Sequence, residues 1–466
     1  MTAALLARSS MFVRRWGTPV DILTFDDYLH YPQLQESLIQ AGVLAPGARL
    51  VNMWHWFREN SVLSSLDTVE QHVPLQTGPR IRDTDHAGRL MIRELLAEDG
   101  RIVATDRYRS NGTLLASDRR RTPESATENR KGILLYDIHG APHLWFRTGG
   151  ELYRYWLDRL SRQAPSFYVV DSKTSARFIA AYRRPWATTL HLVHGAHLDA
   201  TGALTPDRRQ TFQQLDAFDR IVFLSERQRA QASELPSAQQ SHLAVIPNAV
   251  QPVPSSDQPR QRGQGVMLAS LTPRKRVDHA IRAIAIASRT DDVTLDIYGE
   301  GPERPRLKAL ISELDVADRV CLRGAQPDAA EAFRTADFSL LTSQSEGLPL
   351  VLLESMGAGC VPISYDILYG PADLIRDGSN GYLLDSGDIA GLAAQIIDHR
   401  RDQDDRIEKL RGAAISVALH HDPVKLTARW ATEMNAAQAL THARFTFSRR
   451  LRAALSRCLR RLRSHR

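Results

Sequence analysis

From residue 265 onward, apolar runs of strand length alternate with segments of helical period. GVMLAS (265–270), VTLDIYG (293–299), RVCLRG (319–324), DFSLLTS (337–343) and CVPISY (360–365) read as strands. VDHAIRAIAIAS (277–288), ERPRLKALISEL (303–314), AAEAFRTA (329–336) and VLLESMGAG (351–359) fall between them and read as helices. Strands that stay apolar instead of alternating are buried on both faces. The pattern predicts a parallel sheet with helices on either side.

The first half is less regular. Residues 1–16 look helical and 19–26 (PVDILTFD) like a strand. Residues 88–147 then depart from the α/β alternation, with short β-rich runs separated by Asp99-Gly100 and Asn111-Gly112, both strong hairpin signals. This segment reads as a β-meander inserted into an α/β domain. The α/β pattern returns with SFYVVD (166–171), TTLHLV (188–193), DRIVFLS (219–225) and AVIP (244–247). Residues 251–264 (QPVPSSDQPRQRGQ) are polar and unpatterned, and read as a linker. The expected organisation is a first Rossmann-like domain over 1–250, the linker over 251–264, and a second Rossmann-like domain over 265–412. C-terminal helices over 413–443 cross back, and a basic tail occupies 444–466.

Composition changes the picture in two places. The three cysteines among 466 residues are scattered, which suits a reducing compartment and excludes a disulfide framework. No apolar run reaches the ~18 residues of a membrane-spanning helix, and the N-terminus lacks an apolar core of secretory type, so a cytoplasmic protein is expected. The net charge of +7 is uneven: residues 444–466 hold nine arginines and no acid, and the remainder sums to −2. With Leu451, Leu455, Leu459 and Leu462 on one stripe, the tail reads as a basic amphipathic helix suited to an anionic membrane surface or a polyanionic acceptor. Nucleic acid is not expected, because no aromatic residues interleave with the arginines.

The chemistry concentrates at strand ends. SEGLPLVLLES (345–355) follows a strand and opens a helix, placing Glu346 in the loop and Glu354 about two turns in. Open parallel sheets bind ligands at such strand ends, and a carboxylate there can accept two hydrogen bonds from a ribose or sugar diol. An isolated glutamate pair is more often surface and helix-dipole chemistry. Here companions accompany it. YGEGPERPRL (298–307) puts Gly299 and Gly301 directly after a strand, and LASLTPRKRVDH (268–279) puts Arg274, Lys275 and Arg276 after another. Three such loops at successive strand ends of one sheet favour a ligand site. His191, His194 and His197 stand at spacing three. A strand–loop does not converge such residues on a metal, and His194 at the strand end, with His197 as its rival, is the better candidate for the site.

These motifs resemble the retaining family-4 glycosyltransferases of GT-B fold, in which two Rossmann-like domains face a cleft. The resemblance rests on Glu346-Gly347-Leu348-Pro349 with Glu354 eight positions after the first glutamate, and on the continuation VPISYDILYGPADLIRDGSNGYLL (361–384). The meander at 88–147 and HLVHGAHL (191–198) narrow it to the branch of poly(glycerol-phosphate) α-glucosyltransferases and adhesin Ser/Thr GlcNAc-transferase catalytic subunits. It extends to about residue 440.

The resemblance implies that Glu354 holds the nucleotide ribose, and that Glu346 with the amides of Gly347 and Leu348 orients the donor sugar. Lys275, with Arg274, would meet the diphosphate, Gly299 and Gly301 would line the donor site, and His194 or His197 would lie near the sugar and the attacking acceptor. The expected reaction moves a hexose or N-acetylhexosamine from a UDP-sugar, UDP-glucose or UDP-GlcNAc, to a hydroxyl of a polymer, glycan or protein, with no cofactor and no metal. A homo-oligomer or partner subunit through the meander is a further expectation. Two departures stand against it. Ser270 occupies the position where the family has an arginine, and the expected first strand with its Gly-rich loop is missing ahead of Met1, either because translation starts earlier or because this chain lacks that loop. They motivate the alternative of a catalytically impaired paralogue that binds acceptor or a partner enzyme.

Overall fold

The structure is a computed structural model that describes residues 3–60, 72, 74–120, 131–199, 201–250 and 259–463, with side chains as far as residue 446. The chain divides into two compact units, Ser9–Ser166 and Met1–Arg8 together with Phe167–Arg466.

In the first unit, β1 (Val20–Thr24) and β2 (Ala48–Asn52) pair in parallel, Val20 opposite Ala48. The meander follows as six strands in sequence order. They are β3 (Ile81–His86), β4 (Arg89–Leu96), β5 (Ile102–Tyr108), β6 (Leu114–Arg119), β7 (Gly132–Tyr136) and β8 (Pro142–Phe146), each antiparallel to the next. The Asp-Gly and Asn-Gly hairpins form where the sequence puts them: Asp99 accepts from the amide of Arg101 and Asn111 from that of Thr113. The sheet starts one strand earlier than residue 88, because β3 carries mostly polar side chains on an exposed edge and lacks an apolar alternation. Leu134, Leu135, Tyr136 and Trp156 bury the contact between the sheet and the helix Gly149–Ser161.

The second unit holds two sheets. Strands β9 (Ser166–Val170), β10 (Ala187–Val193), β11 (Arg220–Phe223) and β12 (Leu243–Val245) form one, in the order β12-β11-β10-β9. All seven residues of β10 are buried, Thr188, Thr189 and His191 among them, so the strand is covered on both faces. The other sheet has six parallel strands: β13 (Gln261–Leu268), β14 (Thr294–Tyr298), β15 (Val320–Gly324), β16 (Ala336–Leu341), β17 (Val361–Asp366) and β18 (Tyr382–Asp385). Their order is β15-β14-β13-β16-β17-β18, so the direction of chain progression reverses between β13 and β16. The loops leaving those two strands flank the point where open α/β sheets receive ligands. A core including Ile281, Ile284, Leu295, Ile297, Ile363 and Ile396 locks the helices onto this sheet.

Three expectations change. Residues 261–264, read as linker, are the start of β13; their polarity reflects a strand end that turns outward, with Arg262 reaching Asp337. Residues 329–334 form a 3-10 helix in place of an α-helix. Arg444, counted with the tail, belongs to the folded body, since its guanidinium pairs with buried Asp219 at 2.7 Å. The helix Pro423–Arg463 returns along β10 and β11, where the hydroxyls of Thr441 and Thr188 meet at 3.2 Å. The leucine stripe and the other tail arginines, like residues 251–258 of the linker, lie outside the described residues.

Candidate active site

The loop after β13 and the loop after β16 are tied to each other. Thr342 donates its hydroxyl to the carbonyls of Lys275 and Arg276, and the Gln344 amide donates to the Arg274 carbonyl at 2.8 Å. This backbone fastening brings the charges together. Lys275 Nζ donates to Glu346 Oε1 at 2.6 Å, and Arg274 donates to the Ser345 carbonyl at 2.6 Å and to Glu346 Oε1 at 3.3 Å. Arg276 points elsewhere, to Ser386 Oγ at 3.0 Å. Ser270 is exposed. Arg274 is therefore the guanidinium that accompanies Lys275, and it stands beside the glutamate from a different position than the missing arginine.

Glu354 is in the opposite condition. It lies in the helix Leu350–Gly357, and burial raises its carboxyl above the ordinary value, with no cation opposing the shift. The residue is half-buried, so its carboxylate is partly desolvated yet open to incoming hydroxyl donors. The amides of Gly347 and Leu348 also lack a hydrogen-bond partner among the described residues.

Gly299 and Gly301 are explained by the neighbouring loop. A Cβ on Gly299 would fall 1.9 Å from the Ala269 carbonyl oxygen, and one on Gly301 2.3 Å from that of Leu271. The two glycines let the chain after β14 pack against the chain after β13, where the amides of Ala269 and Leu271 donate across at 2.9 Å. They shape both loops through backbone packing.

The other sheet of the unit contributes His194. A Cβ on Gly347 would come within 1.9 Å of the His194 carbonyl oxygen, so the Glu346-Gly347 turn lies directly against the His194–Gly195 peptide. His194 Nε2 is 2.5 Å from Asp171 Oδ1 at the end of β9, and Asp171 is gripped in turn by both Nη atoms of Arg8. Burial pushes the Asp171 carboxyl up, but Arg8 and His194 outweigh it and hold it well below the usual carboxylate range. Asp171 could have been noticed as an acid at the end of a parallel strand; nothing in the sequence points to Arg8, which arrives from the helix Ala3–Trp16.

His197 is not in this group. It is fully buried, stacked on Phe212 with centroids 4.8 Å apart and on Tyr369 at 5.5 Å. Burial drops its pKa to about 4, and its Nδ1 meets the Tyr369 hydroxyl at 3.3 Å. It is a packing residue, as is His191, whose Nδ1 meets the Val170 carbonyl. No group of three His, Cys, Asp or Glu side chains suited to a metal occurs among the described residues.

The parallel sheet thus carries a basic loop, an E-G-x-P turn and a half-buried glutamate at its switch point. Residues 255–415 match the family model of group 1 glycosyl transferases. The chain is similar to the poly(glycerol-phosphate) alpha-glucosyltransferase of Bacillus subtilis, 24% identical over 327 residues that cover 68% of this chain and 48% of that protein. It is also similar to the Streptococcus gordonii UDP-N-acetylglucosamine–peptide N-acetylglucosaminyltransferase GtfA subunit, 28% identical over 259 residues that cover 53% and 51%. The chain thus spans about half the length of these curated relatives. Among solved structures, S. aureus TarM with Fondaparinux, alpha-GlcNAc-glycerol and UDP superposes with a TM-score of 0.78 at 19% identity, covering 93% of this chain and 96% of that one. The fold is that of the GT-B glycosyltransferases, as the motifs implied.

Proposed function

We propose that the chain transfers a hexose or N-acetylhexosamine, with retention, from UDP-glucose or UDP-GlcNAc to a hydroxyl of a cell-surface polymer, glycan or protein. The observation that carries this reading is the contrast between Glu346, already paired with Lys275 and Arg274, and Glu354, half-buried with no cation beside it among the described residues. Glu354 accepts the two ribose hydroxyls of UDP. The diphosphate draws Lys275 and Arg274 toward itself, which frees Glu346 to accept from hydroxyls of the donor sugar. Lys275 then stabilises the charge that develops on the leaving UDP. His194, held by Asp171, stands where sugar and acceptor meet. Fixed cations supply what a metal supplies elsewhere, so the reaction is metal-independent.

Purified protein should bind UDP and hydrolyse or transfer from one of the two UDP-sugars. Binding of neither UDP nor a UDP-sugar by folded protein would reject the assignment. Ser270 carries the second reading, an impaired paralogue that serves as an acceptor- or partner-binding subunit; UDP binding without any turnover would select it. No described helix is long and apolar enough to cross a membrane. We place the protein in the cytoplasm, held at the inner membrane face through residues 444–466. Removing residues 449–466 should lower pelleting with anionic vesicles at low salt, and equal pelleting of both forms would remove that attachment.

A further inference from the structure

Arg208 lies on the short helix Pro206–Phe212 that follows the His194 loop. It is 7% exposed, and its Nη1 is buried without a hydrogen-bond partner. Among the described residues no carboxylate pairs with it: Asp207 is turned to Lys173, and Asp171 is taken by Arg8 and His194. Arg8, buried to a similar degree in the same unit, is by contrast paired with Asp171 through both Nη atoms. Burying a guanidinium without a counter-charge is costly, and a folded chain tolerates it most readily where a ligand brings the missing charge.

The surroundings fit that role. The Gly195 carbonyl is held by Gln228 Nε2 at 2.9 Å, which fixes the loop beside His194. A Cβ on Gly195 would meet Arg208 Nη2 at 3.7 Å, ordinary contact distance, so the guanidinium lies directly against the Gly195 backbone, where a glycine adds no side chain in front of it. The nearby rings offer no negative charge. His191 and His197 are kept neutral, first by burial and then by Arg208 itself.

We propose that Arg208 anchors a phosphate group of the acceptor, bound beside the His194–Gly195 peptide. This rests on the glycosyl-transfer reading above. A donor diphosphate offers the same chemistry, but Lys275 and Arg274 stand ready for it on the loop after β13, whereas Arg208 belongs to the sheet that holds His194 and Asp171. A guanidinium fork receives two phosphate oxygens at once, which fixes orientation as well as position.

Arg208→Met and Arg208→Lys in the full chain test this, with inorganic phosphate, glycerol 3-phosphate and UDP as probes. Without anions, Arg208→Met should melt at or above the wild-type midpoint, because the charge removed had no partner. At constant ionic strength, phosphate and glycerol 3-phosphate should raise the wild-type midpoint and bind about tenfold or more weakly to Arg208→Met. Arg208→Lys should fall between, and UDP affinity measured by calorimetry should be the same in all three. A midpoint of Arg208→Met below wild type, no shift in wild type, or a shift that persists in Arg208→Met would overturn the site. Weakened UDP binding in Arg208→Met would move the guanidinium to the donor diphosphate and overturn the acceptor assignment. Wild-type protein that fails to bind UDP would break the glycosyl-transfer reading itself, a result separable from the phosphate shift.

Discussion

The two ends of the six-stranded sheet handle charge differently. At the end where β16 begins, Asp337 is fully buried and surrounded: Arg411 at 2.8 Å, Arg262 at 3.3 Å, His399 at 3.4 Å and the Gly263 amide at 2.9 Å. At the end where β16 leaves, Glu354 is half-buried with no cation beside it among the described residues, and Glu346 draws on cations that a diphosphate would claim under the proposed function. One end spends its polar groups on itself and the other keeps them available. The same sheet thus separates stability from ligand chemistry, and substitutions at the two ends should have opposite signatures.

The largest expected effect is at the closed end. Asp337→Ala takes the buried carboxylate from two guanidiniums, Arg411 and Arg262, and should cost about 3–5 kcal/mol in denaturant unfolding. Burial raises the Asp337 carboxyl, but His399, Gly263 and Arg262 together bring it down to about 2. Its contribution is therefore complete above the ordinary aspartate range and disappears as pH falls through about 2. UDP affinity of the folded fraction should be unchanged; a loss of UDP binding as large as the loss of stability would erase the distinction between the ends.

Glu354→Gln is the mirror image. UDP binding should weaken by on the order of 1.5–3 kcal/mol per charge-assisted bond lost, while stability at pH 7 does not fall. The sign follows from the raised carboxyl. Keeping it ionised in the fold is unfavourable once pH exceeds the ordinary value of 4.5, so the variant should gain on wild type as pH rises from there. Thermal melts at pH 4 and pH 7 with a UDP titration read both quantities, and a variant less stable at pH 7 would show that Glu354 has a partner in the fold.

Asp171→Asn sharpens the comparison on the neighbouring sheet. It keeps the shape but removes the charge that holds His194, so transfer should slow by about tenfold to 100-fold through misplacement of the ring, with UDP affinity intact. A fall in UDP affinity with unchanged turnover would assign Asp171 to donor binding. The smallest effect expected is from EDTA, which should leave turnover unchanged. Loss of activity on chelation, restored by magnesium or manganese, would show that Lys275 and Arg274 do not suffice.

The open end of the sheet was legible in the sequence for a physical reason. Its central strands β16 and β17 are almost wholly buried, and Lys275 and Glu346 follow strands closely in sequence, so local pattern places them. Lys275 and Glu346 are 71 residues apart, yet each is fixed by its own strand. The acceptor side was less legible. His194 and His197 share one sequence environment, and only the ring stack of Phe212 and Tyr369 separates them. Arg8 reaches Asp171 across 163 residues by way of a helix whose sequence announces only its amphipathic character. β3 escaped because an exposed edge strand need not carry an apolar stripe.

The helix Pro423–Arg463 also has a consequence for how the chain is made. Thr188 of β10 meets its partner Thr441 only 253 residues later, and Arg220 of β11 waits for Glu433. During synthesis the four-stranded sheet therefore emerges, and the whole six-stranded sheet after it, before the helix that covers β10 is available. Until then the flank of β10 stays bare, an opening for chaperones or for aggregation. A ribosome stalled within the 430s would hold a finished six-stranded sheet beside an unfinished partner, and the helix from Pro423 would act as the closing step of assembly.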